Sequence, residues 1–192
     1  NRTVAYDEEG NKAEEFAAEL TARGCLKAAE FVNFCDAFNI PVLTLTNVNG
    51  FKATMCSERN IAAAAAKLTY AFGNATVPKV NVITGKAFGN AYNVMNSKAI
   101  GCDMVYAWPK AETGMMDATL AAKAMYGDTD AATVKEKAAE YAALQNNVVS
   151  AARRGYVDTI IEAQDTRKYV IGAFEMLFTK RDDRPAKKHG TV

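Results

Sequence analysis

Histidine is nearly missing from this chain: His189 is the only one in 192 residues, three positions from the end of a basic tail. A catalytic triad or a histidine-based metal site would have to recruit that one residue, and chain ends are rarely held firmly enough for such work. Cysteine is sparse too. Cys25, Cys35, Cys56 and Cys102 stand 10, 21 and 46 residues apart, spacings that fit neither a zinc knuckle nor a Cys-x-x-Cys redox pair. Reduced packing thiols in a cytoplasmic protein are the expectation. No stretch approaches the roughly 20 apolar residues of a membrane span, since Ile61 to Ala66 is too short. Nor does one sign of charge dominate. Twenty-three Lys and Arg against 22 Asp and Glu leave a formal net charge of +1, which gives no bulk electrostatic pull toward nucleic acid or a lipid surface. The chain opens on Asn1 without an initiator methionine or a basic-then-apolar leader, which suits a processed chain or an excised fragment. With metal, histidine and cysteine chemistry set aside, carboxylates, hydroxyls and backbone remain.

Nearly half of the residues are apolar, enough for a sizeable core in one domain. Residues 7 to 15, charged and broken by Gly10, read as an exposed loop, and residues 1 to 20 as an extension ahead of a single domain over 21 to 192. Helical spacing follows over Thr21 to Asn39, with Thr21 as N-cap and Leu26, Ala29, Phe31, Phe34, Cys35 and Phe38 as the expected core face. Ile40-Pro41 stops that helix and starts a strand over Val42 to Thr46. Asn47-Val48-Asn49-Gly50 is a turn cluster, and Ser57 with Asn60 opens an alanine-rich helix over Ile61 to Phe72. A second strand covers Val80 to Thr84, and a third Met104 to Trp108, ended by Pro109. Helices are predicted over Met115 to Tyr126, Ala131 to Gln145 and Asp165 to Thr179, the last with Val170, Ile171, Phe174, Leu177 and Phe178 as core. A short strand is expected near Ile160-Ile161. Strands separated by helices imply an α/β fold with a parallel sheet and crossovers.

Two corners come after buried strands with similar grammar: Asn47-Val48-Asn49-Gly50-Phe51, and Gly85 through Tyr92. In such sheets ligands gather at the carboxyl ends of the strands. The second corner, rich in small and turn-tolerant residues, opens what reads as a helix whose first N–H groups lack internal partners and can hold a developing oxyanion. A Gly-Asn pair at such a place is also often only a tight turn. Glu112 and Asp117 are the candidate acid–base pair, and Tyr106 with Trp108 a candidate platform that equally fits a packed strand end.

Several segments together resemble the second half of a biotin-dependent acyl-CoA carboxyltransferase, of the β-subunit type of propionyl- or methylcrotonyl-CoA carboxylase or the related α subunit of CoA-ester decarboxylases. They are Phe34 to Val42, Ala75 to Val80, Lys86 to Tyr92, Val94 to Lys98, Tyr106 to Glu112, Arg154 to Asp158, Asp165 to Arg167, Thr179 to Arg181 and Arg184 to Gly190, in order and at compatible spacing. The chain departs from the family pattern at Asn47-Val48-Asn49-Gly50-Phe51, where Asp-Val-Pro-Gly-Phe is usual, and at Asn90, which replaces a glycine.

The resemblance implies a crotonase-like (ClpP/crotonase) fold of repeated ββα units and a C-terminal, biotin-side domain. It implies transfer of a carboxyl group between carboxybiotin on a carrier and an acyl-CoA (acetyl-, propionyl- or methylmalonyl-CoA), without a metal. It maps an oxyanion hole onto the main-chain N–H groups of Asn90 and Ala91, and substrate or biotin contacts onto Gly89, Tyr92, Asn93, Gly50 and Phe51, with Asn93 at the acyl-selecting position. The partners it implies are acyl-CoA, a biotin carboxyl carrier protein, the chain's own N-terminal domain and a second chain, in a dimer and usually a trimer of dimers. Nucleic acid is not among them, and membrane contact enters only through a decarboxylase complex. A reverse-running decarboxylase subunit, a crotonase-type hydratase or hydrolase using Glu112 and Asp117, and a non-catalytic carrier-docking module are the alternatives.

Overall fold

The computed structural model describes residues 4–127 and 130–183. The expected loop over 7 to 15 is instead an exposed antiparallel hairpin, β1 (Val4–Tyr6) with β2 (Lys12–Glu15) around a turn at Gly10. β3 (Glu19–Leu20) follows, and Leu20 joins the buried core, so the packed body reaches back to Ala18 rather than beginning at 21.

Helix α1 (Ala22–Ala37) is capped by Thr21, whose hydroxyl accepts the Gly24 N–H at 3.0 Å. Its buried stripe is Cys25, Ala29, Val32 and Cys35, while Phe31, Phe34 and Phe38 are 55–65% exposed. This corrects the predicted core face. A helix with apolar residues on two sides buries whichever side its neighbour can approach, and α1 lies against α2 (Met55–Asn74) through the side with small residues. The second helix also begins earlier than Ser57: Thr54 is its cap, and its hydroxyl accepts the Ser57 N–H.

Between the two helices run β4 (Val42–Val48) and β5 (Gly50–Phe51), and after α2 comes β6 (Lys79–Phe88). β6 is ten residues long and continues straight through Gly85, where a corner was expected. The reason lies across the sheet: Asn47 Oδ1 accepts the Lys86 N–H at 3.0 Å and would sit 2.6 Å from any Cβ placed on Gly85. The glycine there admits a neighbouring side chain rather than turning the chain. The turn comes at Gly89, φ +58°, which opens α3 (Gly89–Asn93). The helix expected after the corner is thus only five residues long.

β7 (Met104–Ala107), β8 (Glu112–Gly114), α4 (Ala118–Tyr126), α5 (Ala131–Tyr141), a π-helical turn (Ala142–Asn146), α6 (Val148–Arg153), β9 (Thr159–Ile160) and α7 (Thr166–Met176) complete the described chain. β8 and α6 have no counterpart among the predicted elements. β4, β6, β7 and β9 form a parallel sheet in that order, and β8 pairs with the far end of β6. One face carries the larger core with α1 and α2. The other carries Val80, Val82, Tyr106, Ile161 and Ala173, covered by Val170, Phe174 and Leu177 of the α7 region. Ile171 and Phe178, expected in that core, are exposed. Cys25, Cys35 and Cys102 are buried free thiols, but Cys56 is exposed. His189 and the Arg184–Gly190 segment lie outside the described residues.

A buried polar ladder ties the sheet to the segment after α3. Thr46 Oγ1 donates to Asn81 Oδ1 at 2.8 Å, Asn81 Nδ2 donates to the Asn96 carbonyl at 3.0 Å, and Asn96 Nδ2 donates to Thr44 Oγ1 at 3.3 Å. Within this network Asn96 adopts a left-handed conformation, φ 59°, and its carbonyl and Nδ2 are engaged while its buried Oδ1 has no hydrogen-bond partner among the described residues. The exit of α3 is therefore pinned to β4 and β6.

Candidate active site

β6 carries the chain past β8 to Gly89, and the strand registers set which residues meet there. Phe88 pairs with Gly114, so the residues after each strand, Gly89 to Asn93 and Met115, face one another. A Cβ on Gly89 would lie 2.9 Å from the Met115 carbonyl oxygen, and its φ is one that side chains rarely adopt. On the other side of that wall, Asn146 is buried, donates Nδ2 to the Met116 carbonyl at 3.2 Å, and sets Oδ1 2.3 Å from where a Gly114 Cβ would stand. Two glycines thus let three backbones close on each other around a cleft.

The cleft has a volume of about 400 Å³. Gly89, Asn90, Tyr92 and Asn93 form one wall, Thr113 to Met115 another, and Tyr141, Gln145, Arg154 and Tyr156 a third. Of the residues implied by the resemblance, Gly89, Asn90, Tyr92 and Asn93 are brought together here. Ala91 is buried, and neither it nor Gly50 nor Phe51 lines this cleft. Gly50 and Phe51 form β5, paired in parallel with β3 and beside α3, and Phe51 packs on the core.

The N–H groups of Asn90 and Ala91 have no partner outside their own short helix among the described residues, and the first amides of a helix have none within it. Asn90 has an ordinary negative φ, since Asn39 and Asn96 are the non-glycine residues with positive φ among those described. A side chain at this position therefore costs nothing in backbone strain. Asn90 Oδ1 accepts a long bond, 3.4 Å, from Asn93 Nδ2. The Tyr92 hydroxyl is buried with no hydrogen-bond partner among the described residues. Burial, with Cys102 and Asp158 nearby, pushes its phenol well above the ordinary tyrosine range, so it remains a donor.

The candidate acid–base pair is not assembled. Asp117 caps α4, accepting the Thr119 N–H at 2.9 Å, and lies 3.5 Å from Lys86. Burial raises its carboxyl pKa, but the Thr119 N–H, Lys86 and further amide bonds outweigh this and hold it below the usual range. Glu112 is exposed, and neither carboxylate lines the cleft. Tyr106 and Trp108 are the packed strand end: Tyr106 meets the Tyr169 ring edge-on, and Trp108 Nε1 donates to Thr166 Oγ1 at 2.9 Å. Among the described residues no group of His, Cys, Asp and Glu could hold a metal ion. The third wall was not singled out in the sequence as lining a site. Arg154 and Tyr156 stand inside a family-like segment, but Tyr141 and Gln145 belong to a charged helix that reads as a solvated face.

The parallel α/β sheet, with a cleft beyond the ends of β6 and β8, is a crotonase-like carboxyltransferase fold that solved structures share. The transcarboxylase 12S subunit, crystallised as a hexamer with methylmalonyl-CoA and methylmalonic acid, superposes with a TM-score of 0.86 at 45% identity, over 90% of this chain and 34% of that one. The β subunit of geranyl-CoA carboxylase from P. aeruginosa, at 22% identity and a TM-score of 0.75, shares the fold. The chain belongs to the carboxyl transferase domain family, which matches residues 10–192. It is 44% identical over 189 residues to a putative propionyl-CoA carboxylase beta chain of Bacillus subtilis, covering 95% of this chain and 37% of that protein. It is 44% identical over 182 residues to the methylmalonyl-CoA decarboxylase subunit alpha of Propionigenium modestum, covering 88% of this chain and 35% of that protein. The chain thus spans little more than a third of the length of these relatives.

Proposed function

We propose that this chain is the biotin-side domain of a biotin-dependent acyl-CoA carboxyltransferase, and that the Asn90 and Ala91 amides form its oxyanion hole. The observation that carries the reading is that α3 opens with two N–H groups unclaimed outside it, at Asn90 and Ala91, and that Asn90 lines an open cleft. α3 is too short for its dipole to add much, so the donors themselves do the work. Paired amides in a restricted site stabilise negative charge on an oxygen as it develops, at no cost in reorganisation. When bound, carboxybiotin on a carrier protein supplies the carboxyl group and, once that is released, a ureido group able to take the α-proton of the acyl-CoA. The cleft fits such a group: Asn90 and Asn93 line it, the Asn90 N–H has no partner outside α3, and among the described residues no carboxylate lines it to repel a developing anion. Gly89 gives the close backbone approach, Tyr92 packs in the wall beside it, and Asn93 at the rim contacts the acyl portion. Acyl-CoA binding and completion of the site fall to an N-terminal domain and a second chain, in a cytoplasmic assembly.

Decarboxylation is the same chemistry run backward. Relatives of both names match at the same 44% identity, so direction depends on what the enzyme is coupled to. The hydratase reading has no carboxylate in the cleft to support it.

The test is Asn90→Pro in the intact carboxyltransferase that carries this chain, assayed for biotin-dependent decarboxylation of methylmalonyl-CoA. Proline deletes the amide donor in a first helical turn, where it is tolerated. A fall in kcat of about 100-fold or more is expected with the thermal midpoint preserved, whereas Asn90→Gly should stay within a few-fold. Unchanged turnover in the proline variant would overturn the oxyanion-hole reading. A large gain in Asn90→Gly would mark a degraded hole and a docking module instead.

A further inference from the structure

Among the described residues that line the cleft, Arg154 alone carries a charge. It closes α6, and its backbone N–H turns back onto the Ser150 and Ala151 carbonyls, which fixes where the side chain leaves the helix. From there one guanidinium nitrogen donates to Gln145 Oε1 at 3.0 Å. Gln145 sits in the π-helical turn with Tyr141 one turn before it, and both line the cleft, while Asn146 is buried beneath Gly114.

The partner that holds Arg154 is neutral. Arg154 is exposed at the edge of the cleft, and an amide partner uses one of its five guanidinium N–H donors and leaves the others open to a ligand. Among the described residues Arg154 makes no ion pair, and Asp158, four residues on, accepts instead from Lys98 at 2.7 Å and from the Val105 N–H at 2.8 Å. A planar, oriented cation facing a cleft without carboxylates suits a ligand carboxylate, which it can engage through two parallel hydrogen bonds.

We propose that Arg154, oriented by Gln145, recognises the carboxylate of the group in transit, whether carried on a malonyl-type acyl-CoA or on carboxylated biotin. This rests on the reading of the cleft as the site of carboxyl transfer. Arg154 is a specificity residue: it distinguishes the carboxylated from the uncarboxylated form of one substrate. Gln145 is a positioning residue that acts through it.

The experiment uses the intact enzyme with Arg154→Gln, Arg154→Lys and Gln145→Glu. One arm measures calorimetric affinity for methylmalonyl-CoA and propionyl-CoA. The other measures KM for carboxylated carrier and the affinity for uncarboxylated carrier. Arg154→Gln should weaken the carboxylated ligand of one arm about tenfold and leave its uncarboxylated counterpart within about twofold. The arm that responds identifies the source of the carboxylate. Arg154→Lys should restore part of the loss, and Gln145→Glu, which keeps the hold but neutralises the charge, should reproduce most of it. No discrimination in either arm would overturn the proposal, as would equal weakening of both acyl-CoA forms, which would place Arg154 against CoA phosphate. If wild type transfers carboxyl groups normally while these results fail, only the role of Arg154 falls. If wild type transfers none, the proposal falls together with the reading on which it rests.

Discussion

The two ends of β6 obey opposite rules. From Lys79 to Ile83 the strand is paired on both sides, its residues are fully buried, and its one amide side chain, Asn81, is bonded to both neighbours in the ladder. From Lys86 to Phe88 it pairs with β8 on the β7 side, and then hands over to a glycine in a left-handed conformation and to amides without partners. The first half is an anchor. The second is a site, and it can carry unsatisfied donors because the anchor a few residues earlier holds the strand in place.

Breaking the anchor should have the largest effect on stability. Asn81→Ala strands the Thr46 hydroxyl and the Asn96 carbonyl in the core, and should cost about 3 kcal/mol in urea unfolding. If it costs less than about 1 kcal/mol, the ladder is not what holds the strand. Gly114→Ala drives a methyl group into Asn146 and should cost about 2 kcal/mol. The loss should shrink markedly in the Gly114→Ala/Asn146→Ala double variant, and additive losses would show that the two residues do not clash. Gly89→Ala sharpens the contrast from the site side. A left-handed alanine pressed on the Met115 carbonyl should cost about 1–2 kcal/mol of stability, yet lower turnover by more than that loss accounts for. Equal effects on both would make Gly89 structural only.

Thr54→Ala, far from both ends, should cost about 1 kcal/mol through its lost helix cap and leave kinetics untouched. Smallest are the thiols. A disulfide reagent at pH 8 should modify Cys56 rapidly in the folded protein, and Cys25, Cys35 and Cys102 only on unfolding. Burial pushes the Cys25 thiol up to about 11 and, with Asp103 beside it, the Cys102 thiol up to about 12 from an ordinary 9.0. Their folded pKa values are raised, so their contribution to stability is complete below pH 9 and declines between pH 9 and 12. Cys102→Ala should flatten part of that alkaline decline, as followed by thermal melting.

The parallel α/β class was legible because Val42 to Thr46, Val80 to Thr84 and Met104 to Ala107 are apolar runs separated by helical spacing. The cap at Thr21 was legible because a hydroxyl precedes a clear helical run, whereas Thr54, which caps α2, was not. The misread elements share a cause, which is that the deciding partner lies far away in sequence. Phe31, Phe34 and Phe38 have the right period for a core face, but α2 accepted the side with smaller residues. Gly85 has the look of a turn, but Asn47, 38 residues earlier, explains it. The wall at Gly89 to Asn93, opened by a glycine and an asparagine, could be found from its grammar, whereas Tyr141, Gln145 and Arg154 could not.

By itself the sequence determined the alternation of strands and helices, the near absence of histidine and the presence of a backbone-rich corner after a buried strand. These come from local periodicity and composition, which need no knowledge of neighbours. Tertiary structure alone decided that the strand runs on to Phe88, that the helix after it is a single short turn, that Glu112 and Asp117 stay out of the cleft and that Arg154 enters it. Each of those depends on which surfaces can approach closely, and close approach is a property of pairs of distant segments that neither segment encodes alone.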